Sequence, residues 1–254
     1  MHDLQELCQH GQDALMATRY LDALDLLEQA EAEALAAGDY DTLGRLYMPL
    51  QEARRQKRQV AGEGEVDLTL LATGPDDVPD AAALLDARPH GQFLVAGWGD
   101  VSASVRFNRL ARERQRYAET YLAAVYPVGD RRAVAIVPTA DVALPEADGS
   151  LSPSTLQSRL PPHSLLIPAA ELPAPQAAGD AGSFALTMGL WERLHAPFLA
   201  AARSIGDPLR RIEAYRQAIR VDEACELAHQ WLSETALDAA RAERKTGLQE
   251  QPLR

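Results

Sequence analysis

Two glycine-bearing stretches are where this sequence could hold an anion. Thr73-Gly74-Pro75-Asp76-Asp77 and Gly97-Trp98-Gly99-Asp100 each follow an apolar run and precede a helical pattern. Glycine lets a ligand approach the backbone closely, and the helix that follows offers unpaired N–H groups. Thr73, Gly74, Gly97, Gly99 and Asp100 are the candidate ligand-loop residues. The second loop departs from a dinucleotide fingerprint: Ser102 stands at the third glycine position, and Trp98 puts bulk where a pyrophosphate would lie. A tight turn that needs small residues is the simpler reading. No Walker-type glycine–lysine loop exists in the chain.

Other chemistry-bearing residues do not converge in the sequence. Cys225 and His229 share a helical face at i, i+4, but no second ligand pair is nearby, so no metal is expected. Arg106, Arg109 and Arg116 lie with Glu113 on the polar side of one helix and read as a solvated face with local ion pairs. Arg54, Arg55, Lys57 and Arg58 read the same way. There is no glycine–x–Ser–x–glycine elbow, and the neighbours Asp76 and Asp77 read as helix caps. The sequence nominates no catalytic residue and no cofactor.

The elements that must position these residues fall into three compositional regions. Residues 1–60 are helical, with Leu4, Leu7, Gly11, Ala14 and Leu15 on one face of a first helix. Ala23, Leu24, Leu27, Ala30 and Ala34 line a second helix, closed by Gly38. A third opens near Asp39, and Pro49 is expected to kink or split it. Residues 65–138 read as strand–helix–strand–helix–strand–strand. The strands are Val66–Ala72, Phe93–Ala96, Tyr121–Tyr126 and Ala133–Val137, with a hairpin at Gly129-Asp130. Right-handed crossovers make the first three parallel and leave the fourth antiparallel at an edge. Pro79 is placed at the first turn of the intervening helix, capped by Asp76 or Asp77, and Asp100 or Ser102 caps the next.

Residues 139–183 are a proline-rich connection. Together with Pro138 they hold eight of the sixteen prolines, and Leu165-Leu166-Ile167 is a possible further strand. The connection is expected to wrap the sheet, because those three side chains are too apolar for water. Residues 184–246 return to a helical pattern, and 247–254 form a tail. The fold class is therefore α+β: antiparallel helical hairpins at both ends flanking a small mixed βαβαββ sheet. Two hairpins alone cannot bury both sides, so the terminal helices are expected to pack on each other or on the sheet.

Composition excludes several classes. Hydrophobic residues make up 46% and charged residues 24% of the 254 residues, the balance of a globular protein. The net charge of -12 argues against binding a phosphate backbone, so no nucleic acid is expected as partner. No run is long and apolar enough for a membrane span, and no secretory signal opens the chain. Two cysteines, Cys8 and Cys225, do not make a disulfide framework, and a cytoplasmic protein is expected.

The helical residues resemble the tetratricopeptide (TPR) repeat, in which two antiparallel helices cross at small residues. Leu7, Gly11, Ala23, Leu27 and Ala30 fall on its pattern, and Tyr40, Leu43, Gly44 and Tyr47 match its aromatic–Leu–Gly–Tyr opening. Gly11 and Gly44 are 33 residues apart, against 34 in the family. Glu213–Ile219 looks like the second helix of a repeat, and Ala228 and Leu232 like the start of another. The departures are Arg211 at a small-residue position, Glu223 in place of proline, and no good second helix after Tyr40. The resemblance implies a non-enzymatic scaffold or adaptor that binds a protein or peptide in a groove faced by Gln9, Gln12, Thr42 and Arg45. The alternatives are a small-ligand-binding or enzymatic domain with an anionic ligand at Gly97–Asp100, and a subunit whose apolar helix faces serve homo-oligomerisation.

Overall fold

The computed structural model describes residues 3–179 and 181–249. They form two compact units: one joins the described residues of 3–57 with those of 195–249, and the other holds the described residues of 58–194.

The first unit is helical. Helices α1 (Leu4–Met16) and α2 (Tyr20–Ala37) form a hairpin, and α2 ends at Gly38, whose φ of 66° is the left-handed cap conformation that glycine adopts without strain. Helix α3 (Tyr40–Gly62) follows. Of the two outcomes expected at Pro49, the split does not occur: Pro49 lies inside one continuous helix, where it has no N–H for its rung of the backbone ladder. Helix α7 (Ala181–Arg203) enters this unit from His195 onward. Helices α8 (Pro208–Val221) and α9 (Glu226–Gln249) form the second hairpin. The terminal helices pack on each other: Leu27, Leu43, Tyr47, Ile212, Ala218 and Leu232 belong to one buried cluster. That cluster supplies the neighbours each hairpin lacks alone.

The second unit holds a mixed sheet of β1 (Glu65–Leu71), β2 (His90–Trp98), β3 (Tyr117–Thr120), β4 (Ala123–Val128), β5 (Arg131–Ile136) and β6 (Leu165–Pro168). The order is β1-β2-β4-β5-β6, with β3 also on β2. β1, β2, β3 and β4 run parallel, while β5 and β6 are added antiparallel. β3 has no counterpart in the sequence reading, and β4 begins two residues beyond the expected Tyr121. β5 is internal, since β6 pairs outside it. Gly129 (φ 61°) makes the expected two-residue turn.

Helices α4 (Ala81–Ala87) and α5 (Ser102–Glu113) bury Leu85, Ala103, Phe107 and Ala111 with Phe93 and Val95 of β2. The cap of α4 is Asp80, which accepts from Ala82 and Ala83 N–H; the expected Asp76 and Asp77 lie further upstream. The opposite strand face, carrying Gln92 and Glu119, meets Arg58 at the end of α3, and Tyr121, just past β3, stacks on Trp191 of α7. The proline-rich connection contains α6 (Pro153–Arg159), whose Leu156 is buried with Tyr126 and Val137. As expected, it wraps the sheet: it runs from β6 on one edge to Gln176, which bridges Val66 on the other.

Candidate functional site

In the helical unit, two small residues set how closely helices approach. A Cβ on Gly11 would lie 2.6 Å from Leu27 Cδ2, and one on Gly44 would lie 2.6 Å from Leu237 Cγ. The first contact is the crossing within the α1–α2 hairpin. The second joins α3 to α9, where Ser233 Oγ also donates to the Gly44 carbonyl (2.6 Å). Helix α9 therefore lies where the sequence offered no second helix after Tyr40. Arg211, at a small-residue position of the pattern, turns its guanidinium to the Ile205 and Gly206 carbonyls (2.7 and 3.4 Å). Glu223, in place of proline, pairs with Lys57.

The four residues assigned to a groove are placed as follows. Gln9 and Gln12 are exposed on α1, and the Gln9 amide donates to Asp13 Oδ1 (2.9 Å). Arg45 is exposed on α3 and pairs with Asp41 (2.8 Å), which Arg244 of α9 also meets (3.2 Å). Thr42 is committed to local structure: its N–H and hydroxyl donate to the Asp39 carboxylate (3.0 and 2.6 Å), capping α3. Those hydrogen bonds hold the Asp39 carboxyl below its usual range. Met16 and Met48 are exposed one helical turn beyond Gln12 and Arg45 (84% and 48%).

The interior of this unit carries a polar network that the sequence reading missed. Arg54 is buried, with Nη2 donating to Glu28 (3.1 Å) and Nη1 to His229 Nε2 (3.0 Å). Nδ1 of His229 lies 2.8 Å from the Cys225 carbonyl, so the neutral ring donates there and accepts from Arg54. Tyr47 hydroxyl meets Glu31, which also faces Arg54 and Arg216 (3.8 and 3.5 Å). Burial, and then the Glu31 carboxylate, push the Tyr47 hydroxyl well above its usual range. The i, i+4 spacing of Cys225 and His229 thus serves a backbone hydrogen bond. Among the described residues no group of three or more His, Cys, Asp or Glu is placed to hold a metal ion.

His195 and His229, both in this unit, are shifted in opposite senses. Burial, and then the Arg54 cation, hold His229 down at about 4. Burial also disfavours charge on His195, but hydrogen bonds to Asp222 and Cys225 outweigh it and raise the ring to about 9; its Nδ1 is 2.7 Å from Asp222. The ordinary value is 6.5 for both. His195 thus contributes stability fully below about pH 6.5, lost as pH rises through about 9. His229 acts the other way, since below about pH 6.5 the unfolded chain takes up a proton that the folded ring resists. Urea midpoints are expected to peak near pH 6.5 and fall on both sides as far as these two rings control them. His195→Asn flattens the alkaline arm alone; an unchanged alkaline arm would refute this assignment.

In the sheet unit, both glycine loops are closed by the chain itself. Thr73 N–H and hydroxyl donate to Asp77 (2.8 and 2.6 Å), and Asp77 N–H returns to the Gly74 carbonyl (3.1 Å). Asp100 Oδ1 accepts from Ser102 N–H and Oγ (2.8 and 2.5 Å), which opens α5. Gly97 is buried in the β2–β4 pairing. Gly99 has φ 73°, and the space beside it is filled: a Cβ there would lie 2.8 Å from Ala147 Cβ. Trp98 Nε1 donates to the Ala147 carbonyl (3.2 Å), so the proline-rich connection seats on this loop.

Topology adds a second reason. A crevice opens beyond parallel strands where the winding reverses. Here β1, β2 and β4 follow in chain order, and both crossover helices pack together on one face. There is no reversal among these strands. Burial, and then Asp100, push the Tyr126 hydroxyl beneath the loop up to about 12, so it keeps its proton at neutral pH.

No helix among the described residues is long and apolar enough to cross a membrane. No protein-family model, curated protein or solved structure matches the chain.

Proposed function

We propose that this protein is a non-enzymatic scaffold whose helical unit binds a protein or peptide along the outer faces of α1 and α3. The observation that carries the reading is the pair of close helix crossings at Gly11 and Gly44. They turn the apolar and charged interior inward and leave Gln9, Gln12, Met16, Arg45 and Met48 on exposed faces. Amide and guanidinium groups suit an extended backbone or a carboxylate, and the two methionines offer adaptable apolar contact. Thr42 is left out of that surface, because its hydroxyl already serves the α3 cap. The Ala147 contact on Gly99 weighs against the anion loop as an alternative. Two free thiols, Cys8 and Cys225, fit a reducing compartment, and we place the protein in the cytoplasm.

Binding is tested with partners recovered on the immobilised protein, identified, purified and measured again by titration. Arg45→Glu is expected to weaken a genuine partner by about tenfold or more with an unchanged melting temperature. Arg109→Glu, on α5, is the control and leaves affinity as it was. Partners that bind both variants equally would reject the assigned faces.

A further inference from the structure

The outer edge of β1 carries several independent features that discourage strand pairing. Val66 N–H donates to the Gln176 carbonyl (3.2 Å), and Gln176 N–H donates back to the Val66 carbonyl (2.8 Å), an antiparallel bridge outside the named strands. Pro173 and Pro175 precede Gln176 at odd spacing, so the N–H groups they lack would lie on the side turned away from β1, where a further strand would add. The Gln176 side chain folds back to the Ala174 carbonyl (2.9 Å). Within β1 the register shifts between Asp67 and Leu70. The buried Asp67 carboxylate accepts from Thr69 N–H and hydroxyl (2.9 and 2.7 Å) and from Arg88 (2.5 Å). A bulge-like irregularity, an inward charge and a proline-bearing cover are known means of blunting an edge strand. Beyond the bridge, Thr69 is exposed and Leu70 and Leu71 are half-buried.

We propose that Gln176 and the segment Leu172–Ala177 form an edge guard that keeps a second copy of this chain from adding to β1. The occupant follows from symmetry. An identical edge offers the same outward N–H and carbonyl groups and the same partly exposed leucines, so two copies pair by one self-complementary contact. The guard fills the hydrogen bonds at Val66 that such a contact would start from.

The test compares Gln176→Pro with Gln176→Ala. Proline removes the N–H that reaches the Val66 carbonyl, whereas alanine keeps it and loses only the side chain. Sedimentation is expected to show Gln176→Pro gaining mass with concentration, to roughly twice the wild-type value. Gln176→Ala is expected to keep the wild-type mass, and both variants the wild-type circular dichroism spectrum. The proposal is overturned if Gln176→Pro keeps the wild-type mass throughout, or if Gln176→Ala associates equally. Hydrogen exchange on the wild-type protein decides the matter if the proline variant does not fold. Val66 N–H is expected to be protected by about tenfold or more over a free amide, and an unprotected Val66 rejects the guard.

Discussion

Arg58→Leu is expected to cost about 3–5 kcal/mol of stability, the scale for breaking a buried ion pair from one side. Arg58 Nε lies 3.0 Å from Glu119, with both side chains almost fully buried (4% and 6% exposed). Gln92 donates to the same carboxylate oxygen (3.3 Å), and the guanidinium lies 4.5 Å from the centre of the Trp191 ring. Leucine fills part of the volume but leaves a carboxylate in a low-dielectric interior without the cation it faces. Replacing both partners, as Arg58→Leu with Glu119→Gln, is expected to restore most of the loss. Urea titrations of the wild type, both single variants and the double variant measure the coupling. A loss below about 1 kcal/mol for Arg58→Leu would place this pair with ordinary surface bridges.

Removing residues 206–254 is expected to unfold the first three helices up to Lys57. Leu27, Leu43 and Tyr47 are buried in the same cluster as Ile212, Ala218 and Leu232, and truncation exposes their inner faces. Arg54 loses His229, and the Gly44 crossing loses Leu237. A fully buried leucine or tyrosine is worth roughly 1.5–3 kcal/mol on exposure, and several such losses exceed the stability of an ordinary domain. Hydrogen exchange read by mass spectrometry is the check. Peptides from α1 and α2 should exchange as an unfolded chain does; retained protection would mean the N-terminal helices stand alone.

The hydrophobic spacing made α1, α2 and the strand–helix–strand–helix order of the sheet legible. Leu7, Gly11 and Ala14 share a buried stripe, and Val95 and Phe93 alternate with Leu94 across a pleat. Gly38 and the Gly129 turn were legible because glycine marks positive φ. The burial of Arg54 and Arg58 was not. A cation on a helix reads as solvated unless its partners are known, and His229 is 175 residues from Arg54. β3 escaped because Tyr117–Thr120 is short and carries Glu119, whose burial depends on that same distant arginine. Of the four residues that the repeat resemblance assigned to a groove, the exposure of Gln9, Gln12 and Arg45 followed from helical period, whereas the capping role of Thr42 depended on where α3 begins. The seating of Ala147 on Gly99 had no local signal, since its residues come from an irregular segment 48 positions downstream.

The helical unit is closed by both ends of the chain, with residues 58–194 made in between. A ribosome adding roughly 5–20 residues per second therefore finishes the first three helices about 7–30 seconds before their closing partners emerge. During that wait the apolar faces of α1 and α2 lack the C-terminal helices that share their buried cluster.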